Sequence, residues 1–304
     1  MFLLPALAAA ILLQNPQPLP PGHGASMQSY VPQRVYDTQK KAWMDFEVML
    51  ADAAKADVVF VGEQHDDPNT HRLETAILDG LVRRKVAPLV SLEMFERDVQ
   101  GNLNEYLAGK MSEEEMLELS RPWPRYATDY RGLVERAKAH GWPVIASNVP
   151  RRIASLVAKM GKESIAQLSP QDRTYVAADL HCPRDSYFDR FAETMGGHPA
   201  GNMTKDQQDA MLERYYWSQC VKDETMAEAI ASAAATRTAP GPVVHYNGAF
   251  HSDFGLGTAE RVRRRMVGKR TVVISVLPVK DLDGLAPEEE DLQRGDYLVY
   301  TIGR

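Results

Sequence analysis

Two cysteines in 304 residues are too few for a disulfide-scaffolded mini-domain, a four-cysteine zinc site or an iron–sulfur cluster. No apolar run reaches the roughly 20 residues that a bilayer-spanning helix requires, and the mean hydropathy is −0.36, so an integral membrane helix is not expected. An excess of positive charge is missing as well. The 35 Lys and Arg stand against 41 Asp and Glu, a net charge of −6. Nucleic acid is therefore not an expected partner, because neutralising its phosphates needs clustered cations. What remains is an ordinary globular balance, 44% hydrophobic and 25% charged. The length allows one large domain that buries most of its unfolded-chain surface.

Met1 to Leu13 (MFLLPALAAAILL) carries no charged side chain, and a Pro-rich stretch follows. The run is too short to cross a bilayer but fits the apolar region of a secretory signal peptide, although no basic residue precedes it. No cysteine follows for lipid attachment. Residues 1–34 are thus expected to be a signal-peptide-like segment and linker, and 35–304 a single domain that is secreted or periplasmic. Cys182 and Cys220 form either one disulfide or two buried thiols; the sequence leaves both open.

Short, nearly continuous apolar runs recur at Val58–Val61, Leu89–Leu92, Val144–Ala146, Val243–His245 and Val272–Val276. Runs of that kind belong to parallel strands covered on both faces. Helical patterns separate them. Asp67-Pro68 opens one helix, and Ser112-x-x-Glu115 and Thr204-x-x-Gln207 are capping boxes; the second begins a helix from Lys205 to about Thr236. The fold class is therefore α/β, a mostly parallel sheet flanked by helices. Helical insertions at about 100–127 and 151–236 are expected to form a cap.

The chemistry gathers where strands finish. Val58–Val61 runs into Gly62, Glu63 and His65; Leu89–Leu92 into Glu93; Val144–Ala146 into Asn148; Val243–His245 into Asn247, Gly248 and His251. Ligands of parallel sheets bind outside the carboxyl ends of the strands. Gly62 and Gly248 are expected to turn the chain sharply off their strands. His65, Glu93 and His251 make a ligand set for Zn, Mn or Fe with open positions, and Glu63 stands as base or as partner of a ligating histidine. The same four residues supply a metal-free hydrolytic centre equally well. His71 lines the pocket or caps its helix, His245 is expected buried within a strand, and Asp223-Glu224 is placed to reach the pocket. Arg261, Arg263, Arg264 and Arg265 read as the solvated face of a helix.

The stretches FVGEQHDDPNTH (Phe60–His71), SLEMFERDVQ (Ser91–Gln100), DYRGLVERAKAHGWPVIASNVPR (Asp129–Arg151), YYWSQCVKDETMAEAI (Tyr215–Ile230) and NGAFHSDFGLG (Asn247–Gly257) resemble the ChaN-like family of haem-binding uptake proteins. That family is grouped with the TIKI proteases and erythromycin esterases. The resemblance spans about residues 57–277 and lacks the acylated cysteine of lipoprotein members. It implies an α/β fold with a helical cap, export, and haem binding in iron uptake, with an active centre that maps onto His65, Glu93 and His251 with Glu63 beside them. Haem also needs an axial ligand. Tyr216 and Tyr246 are the tyrosine candidates, with His65 and His251 as alternatives. The expected partner is haem or another small ligand; a homodimer and a metal-dependent hydrolase remain open.

Overall fold

In the computed structural model, which describes residues 31–196, 203–237 and 240–303, the first strands are a short antiparallel pair, β1 (Gln33–Asp37) and β2 (Ala42–Met44). Then come β3 (Val58–Glu63), β4 (Leu89–Glu96), β5 (Val144–Asn148), β6 (Val243–Gly248), β7 (Thr271–Val279) and β8 (Tyr297–Ile302). One sheet runs in the order β2-β1-β8-β7-β3-β6-β4-β5. From β8 to β5 every pairing is parallel, and only β1, antiparallel to both β8 and β2, runs against the rest. The five apolar runs are the five strands from β7 to β5. β1 and β2 lack such a run, and the buried β8 (YLVYTI) is a sixth strand that those runs do not include.

Side chains alternate between two helical layers, which is why the central strands are apolar throughout. Val59, Val61, Val90, Leu92, Val244 and Tyr246 face one layer. It is made of α1 (Phe46–Ala53), α2 (Pro68–Arg83), α3 (Gln100–Leu107), α4 (Glu113–Ser120), α5 (Tyr126–Asp129) and α6 (Arg131–His140). Toward the opposite side lie α7 (Arg151–Met160), the single turn α8 (Pro170–Arg173), α9 (Ser186–Gly196), α10 (Lys205–Thr236) and α11 (Gly257–Arg265). There Val58, Phe60, Val243 and Val273 pack against Ala227 and Ile230 of α10 and Ala259 and Val262 of α11. Each such apolar side chain, fully buried, contributes about 1.5–3 kcal/mol.

The stretches expected to cap the sheet are helical, but much of them flanks it instead. The C-terminal half of α10 lies on the sheet face through Ala227 and Ile230. The roof over the carboxyl edge is narrower: α9 and the middle of α10, where Tyr187, Tyr216 and Cys220 cluster with Phe188, Phe191 and Phe250. Cys182 and Cys220 are bridged, which closes the alternative the sequence left open. The signal-peptide-like segment lies, up to residue 30, outside the described residues, and its expected linker end already leads into β1. No helix among the described residues is long and apolar enough to cross a membrane.

Candidate functional site

Glu63, the last residue of β3, is buried, and Tyr130 donates a 2.9 Å hydrogen bond to its Oε1. His65 Nδ1 bonds the same oxygen. The His65 side chain is 46% exposed, so one edge of the ring is anchored and the other is open. Glu93 lies within a bulge in β4: the five residues from Leu92 to Glu96 stand against the three from Ala146 to Asn148 of β5. Side chains replace the interrupted ladder, with Ser147 Oγ donating to Leu92 O at 2.8 Å and Asn148 Nδ2 to Glu93 O at 3.1 Å. Such a bulge re-aims a side chain, and here it turns Glu93 toward β6, where the Gly248 amide donates to its Oε2 at 2.8 Å.

His251 lies in the short turn after β6, with Nε2 3.2 Å from Glu93 Oε1 and Nδ1 2.6 Å from Asp223 Oδ1. Asp223 also accepts from Thr258 Oγ1 and from the Tyr187 hydroxyl, each at 2.8 Å. Burial opposes the charge on His251, but Glu93 and Asp223 overcome it and push the pKa up to about 10. Burial likewise opposes the charges of Glu93 and Asp223, yet the imidazolium holds both carboxyls below their ordinary range.

His71 is buried on the inward face of α2 and neither lines the cavity nor caps the helix; Asp67 provides the cap. Its Nδ1 is 3.1 Å from Glu74 Oε2 and 3.4 Å from Glu63 Oε2. Its Nε2 is 3.2 Å from His65 O and 3.4 Å from Asp129 Oδ2. Burial works against its charge, but the two glutamates win and raise its pKa to about 11. Glu63 is driven low by His65 and His71 against the cost of its burial. Glu74 is raised, by burial first and then by Glu63. Among the described residues, Glu63, His71 and Glu74 are the one group of three whose donor atoms lie within 4.8 Å of one another; His65, Glu93 and His251 are more widely spread.

A cavity of about 500 Å³ opens beside these residues, lined by Glu63, His65, Gly248 and His251 from below and by Tyr187 and Arg190 of α9 from above. Phe250, Phe254 and Leu256 add apolar surface, and Arg190 lies 3.3 Å over the Phe254 ring. Phe254 has a left-handed backbone (φ 62°), uncommon for an aromatic residue and typical of functional loops.

Several expectations meet a different arrangement. Gly62 and Gly248 do not adopt positive φ; they make room. A Cβ on Gly248 would lie 2.7 Å from Cε1 and Nε2 of His65. Asn148 and Asn247 bond backbone near the strand ends and do not line the cavity. Tyr216 is buried with its hydroxyl on Pro183 O, and Tyr246 is buried under α2 with its hydroxyl 3.4 Å from Glu74 O; neither lines the cavity. The arginines of α11 are only in part the solvated face expected: Arg263 and Arg264 are exposed, but the others turn inward. Arg261, Arg264 and Arg265 all pair with the buried Glu224, and Arg261 is itself buried. Tyr187, Arg190, Gln219 and Tyr130 went unnoticed in the sequence because neither spacing nor motif marks them.

His245 is buried in β6 and shares a 2.9 Å hydrogen bond with Ser91 Oγ. Burial lowers its pKa to about 3, against the pull of Glu93. A histidine kept neutral in the fold binds its proton only on unfolding. Its contribution is complete above about pH 6.5 and is lost as pH falls toward 3, at up to about 1.4 kcal/mol per pH unit. Urea melts between pH 7 and 4 should show this acid slope, and His245→Gln should flatten it. An unchanged slope in the variant would assign the acid loss to other groups.

Residues 49–262 match the family described as haem-binding uptake, Tiki superfamily, ChaN. Among solved structures the chain is similar to ChaN of Campylobacter jejuni, whose structure shows cofacial haem binding. The two are 18% identical with a TM-score of 0.66, over 89% of this chain and 97% of that one. An erythromycin esterase in its open conformation is more distant, 12% identical with a TM-score of 0.44, over 90% and 83% of the two chains. The chain is also 24% identical over 285 residues to the chloroplastic protein RETICULATA-RELATED 5 of Arabidopsis thaliana. That match covers 90% of this chain, which spans only 37% of the plant protein's length. With the match to the family covering well over half of its length, the chain belongs to the haem-binding uptake proteins of the Tiki superfamily that include ChaN.

Proposed function

We propose that the chain is an exported haem-binding protein of ChaN type, holding haem in the cavity at the carboxyl edge of β3 and β6 and acting in haem or iron handling. The observation that carries this reading is His65. Its Nδ1 is committed to Glu63, the ring is half exposed at the cavity, and Nε2 is left as the ligating nitrogen. A carboxylate on the far nitrogen is the usual support of a metal-binding histidine, since it fixes the tautomer and raises basicity. The residues fit the group in other respects. A cavity of about 500 Å³ is within the roughly 300–1,000 Å³ of small-molecule sites. Phe250, Phe254 and Leu256 offer apolar contact, and the cations at the cavity are Arg190, paired with Glu290, and Arg294, paired with Asp253 and Asp291, which propionates would have to share. Bound haem would supply an iron centre; this chain's residues ligate it, cover it and orient its acidic edge. Export is supported by the Cys182–Cys220 bridge, a bond uncommon where thiols are kept reduced.

Titrating the purified protein with haemin should give a saturable Soret shift at micromolar protein, and His65→Ala should weaken binding at least about tenfold, as loss of an axial ligand would. No shift for the parent protein would end this reading.

A second reading, hydrolysis, is favoured by the line Asp223–His251–Glu93, whose middle member His251 lines the cavity with the two buried carboxylates behind it. With a pKa of about 10, His251 is protonated at neutral pH and donates a proton to a leaving group. Glu93 is ionised and acts as base on a water; a divalent ion held by His65, Glu93 and His251 would be a separate mode that requires His251 neutral. A panel of esters and peptides assayed with the parent protein and His251→Ala decides it; equal rates for the two would discard this centre.

A further inference from the structure

We propose that Glu63, His71 and Glu74 form a buried site for one divalent transition-metal ion, with Mn(II), Fe(II) or Zn(II) as the class, beneath the floor of the haem cavity. Two carboxylates and one imidazole are a donor set these ions share, and three protein ligands leave positions open.

The spacing fits an ion. Bonds of about 2.1 Å put neighbouring ligands about 3.0–3.4 Å apart in octahedral or tetrahedral coordination. His71 Nδ1 stands 3.1 Å from Glu74 Oε2 and 3.4 Å from Glu63 Oε2, and the three donors lie within 4.8 Å of one another. The far side of the imidazole is supported as metal-binding histidines are: Nε2 reaches His65 O at 3.2 Å and Asp129 Oδ2 at 3.4 Å. Asp129 is in turn held by Arg125 at 2.9 Å.

An independent observation is the set of carboxylate oxygens left over. Glu63 and Glu74 are 1% and 0% exposed, yet Glu63 Oε2 and Glu74 Oε1 accept no hydrogen bond from any other residue, and the two carboxyls are left against each other. Buried oxygens of that kind are costly and call for a partner. Hydrophobic packing would be served better by leucine at position 74, since its neighbours on the inward face of α2 are Leu73, Ile77, Leu78 and Leu81. The chain places a carboxylate there instead, one turn from His71. Glu63 is also a wall of the cavity, so this one carboxylate separates the site from it.

The test is metal retention by the full chain, without haem. Protein is stripped with chelator, incubated separately with Mn(II), Zn(II) and Co(II), desalted and analysed for metal. About one ion per chain is expected for the parent and for His251→Ala, and less than a tenth as much for Glu74→Gln. Asp129→Asn, which leaves the three ligands in place, should weaken affinity about 10–100-fold and keeps the question answerable if Glu74→Gln does not fold. Saturating ion should also raise the Tm of the parent by about 5 °C or more at a hundredfold excess over Kd. Failure of the parent to retain any ion, retention undiminished in a folded Glu74→Gln, or loss in His251→Ala would each overturn the assignment. The haemin titration of Glu74→Gln reads the haem site separately, and its Soret shift should persist whichever way the metal result falls.

Discussion

Replacing Asp223 by Ala should cost about 3–5 kcal/mol of folding stability, the penalty for leaving one member of a buried ion pair without its partner. Four pieces of the fold meet on this carboxylate. It receives His251 after β6, Thr258 of α11 and Tyr187 of α9, and it projects from α10. Its removal leaves a buried imidazolium and two buried hydroxyls without their shared acceptor. Asp223→Asn keeps the acceptor oxygen and should lose less, about 1–3 kcal/mol. Urea denaturation at pH 7 measures both. A loss for Asp223→Ala below about 1 kcal/mol would mean that His251 finds its support elsewhere, and the Asp223–His251–Glu93 line would lose its meaning.

The second large effect separates affinity from stability. In Gly248→Ala the new methyl would sit 2.7 Å from His65 Cε1 and Nε2, closer than van der Waals contact allows. The ring is the far end of a side chain with 46% exposure, so it yields by swinging outward while the sheet stays put. Tm should therefore change little, whereas haemin affinity should drop at least about tenfold because the ligating nitrogen has moved. A Gly248→Ala protein with parental haemin affinity would show that His65 is not the ligand; a collapse of Tm would show that the backbone, not the ring, gives way.

The sheet's centre could be read from the chain because five strands are buried on both faces and spell themselves as apolar runs. The three strands beyond β7 could not: β1 (QRVYD) and β2 (AWM) are mixed and half exposed, and the buried β8 follows a polar, acidic stretch. Strand ends also brought forward Glu63, His65, Glu93 and His251, and the structure puts all four at one edge, with Gly248 between His65 and Glu93. The roof stayed hidden, because Tyr187 and Arg190 reach the cavity through the tertiary placement of α9, which no local pattern encodes. The arginines of α11 misled for a related reason. Helical spacing marks a shared face but not what opposes it, and what opposes this one is the buried carboxylate of Glu224.

Glu63 has two oxygens and they look in opposite directions. Oε1 takes Tyr130 and the His65 ring at the cavity, and Oε2 lies against His71 in the interior. Negative charge drawn toward one oxygen is withdrawn from the other, so whatever occupies the outer pocket alters the inner cluster, and linkage makes the influence mutual. Trp123, edge-on to His65 with ring centres 5.1 Å apart, stands where its fluorescence would respond to any ligand that moves that ring.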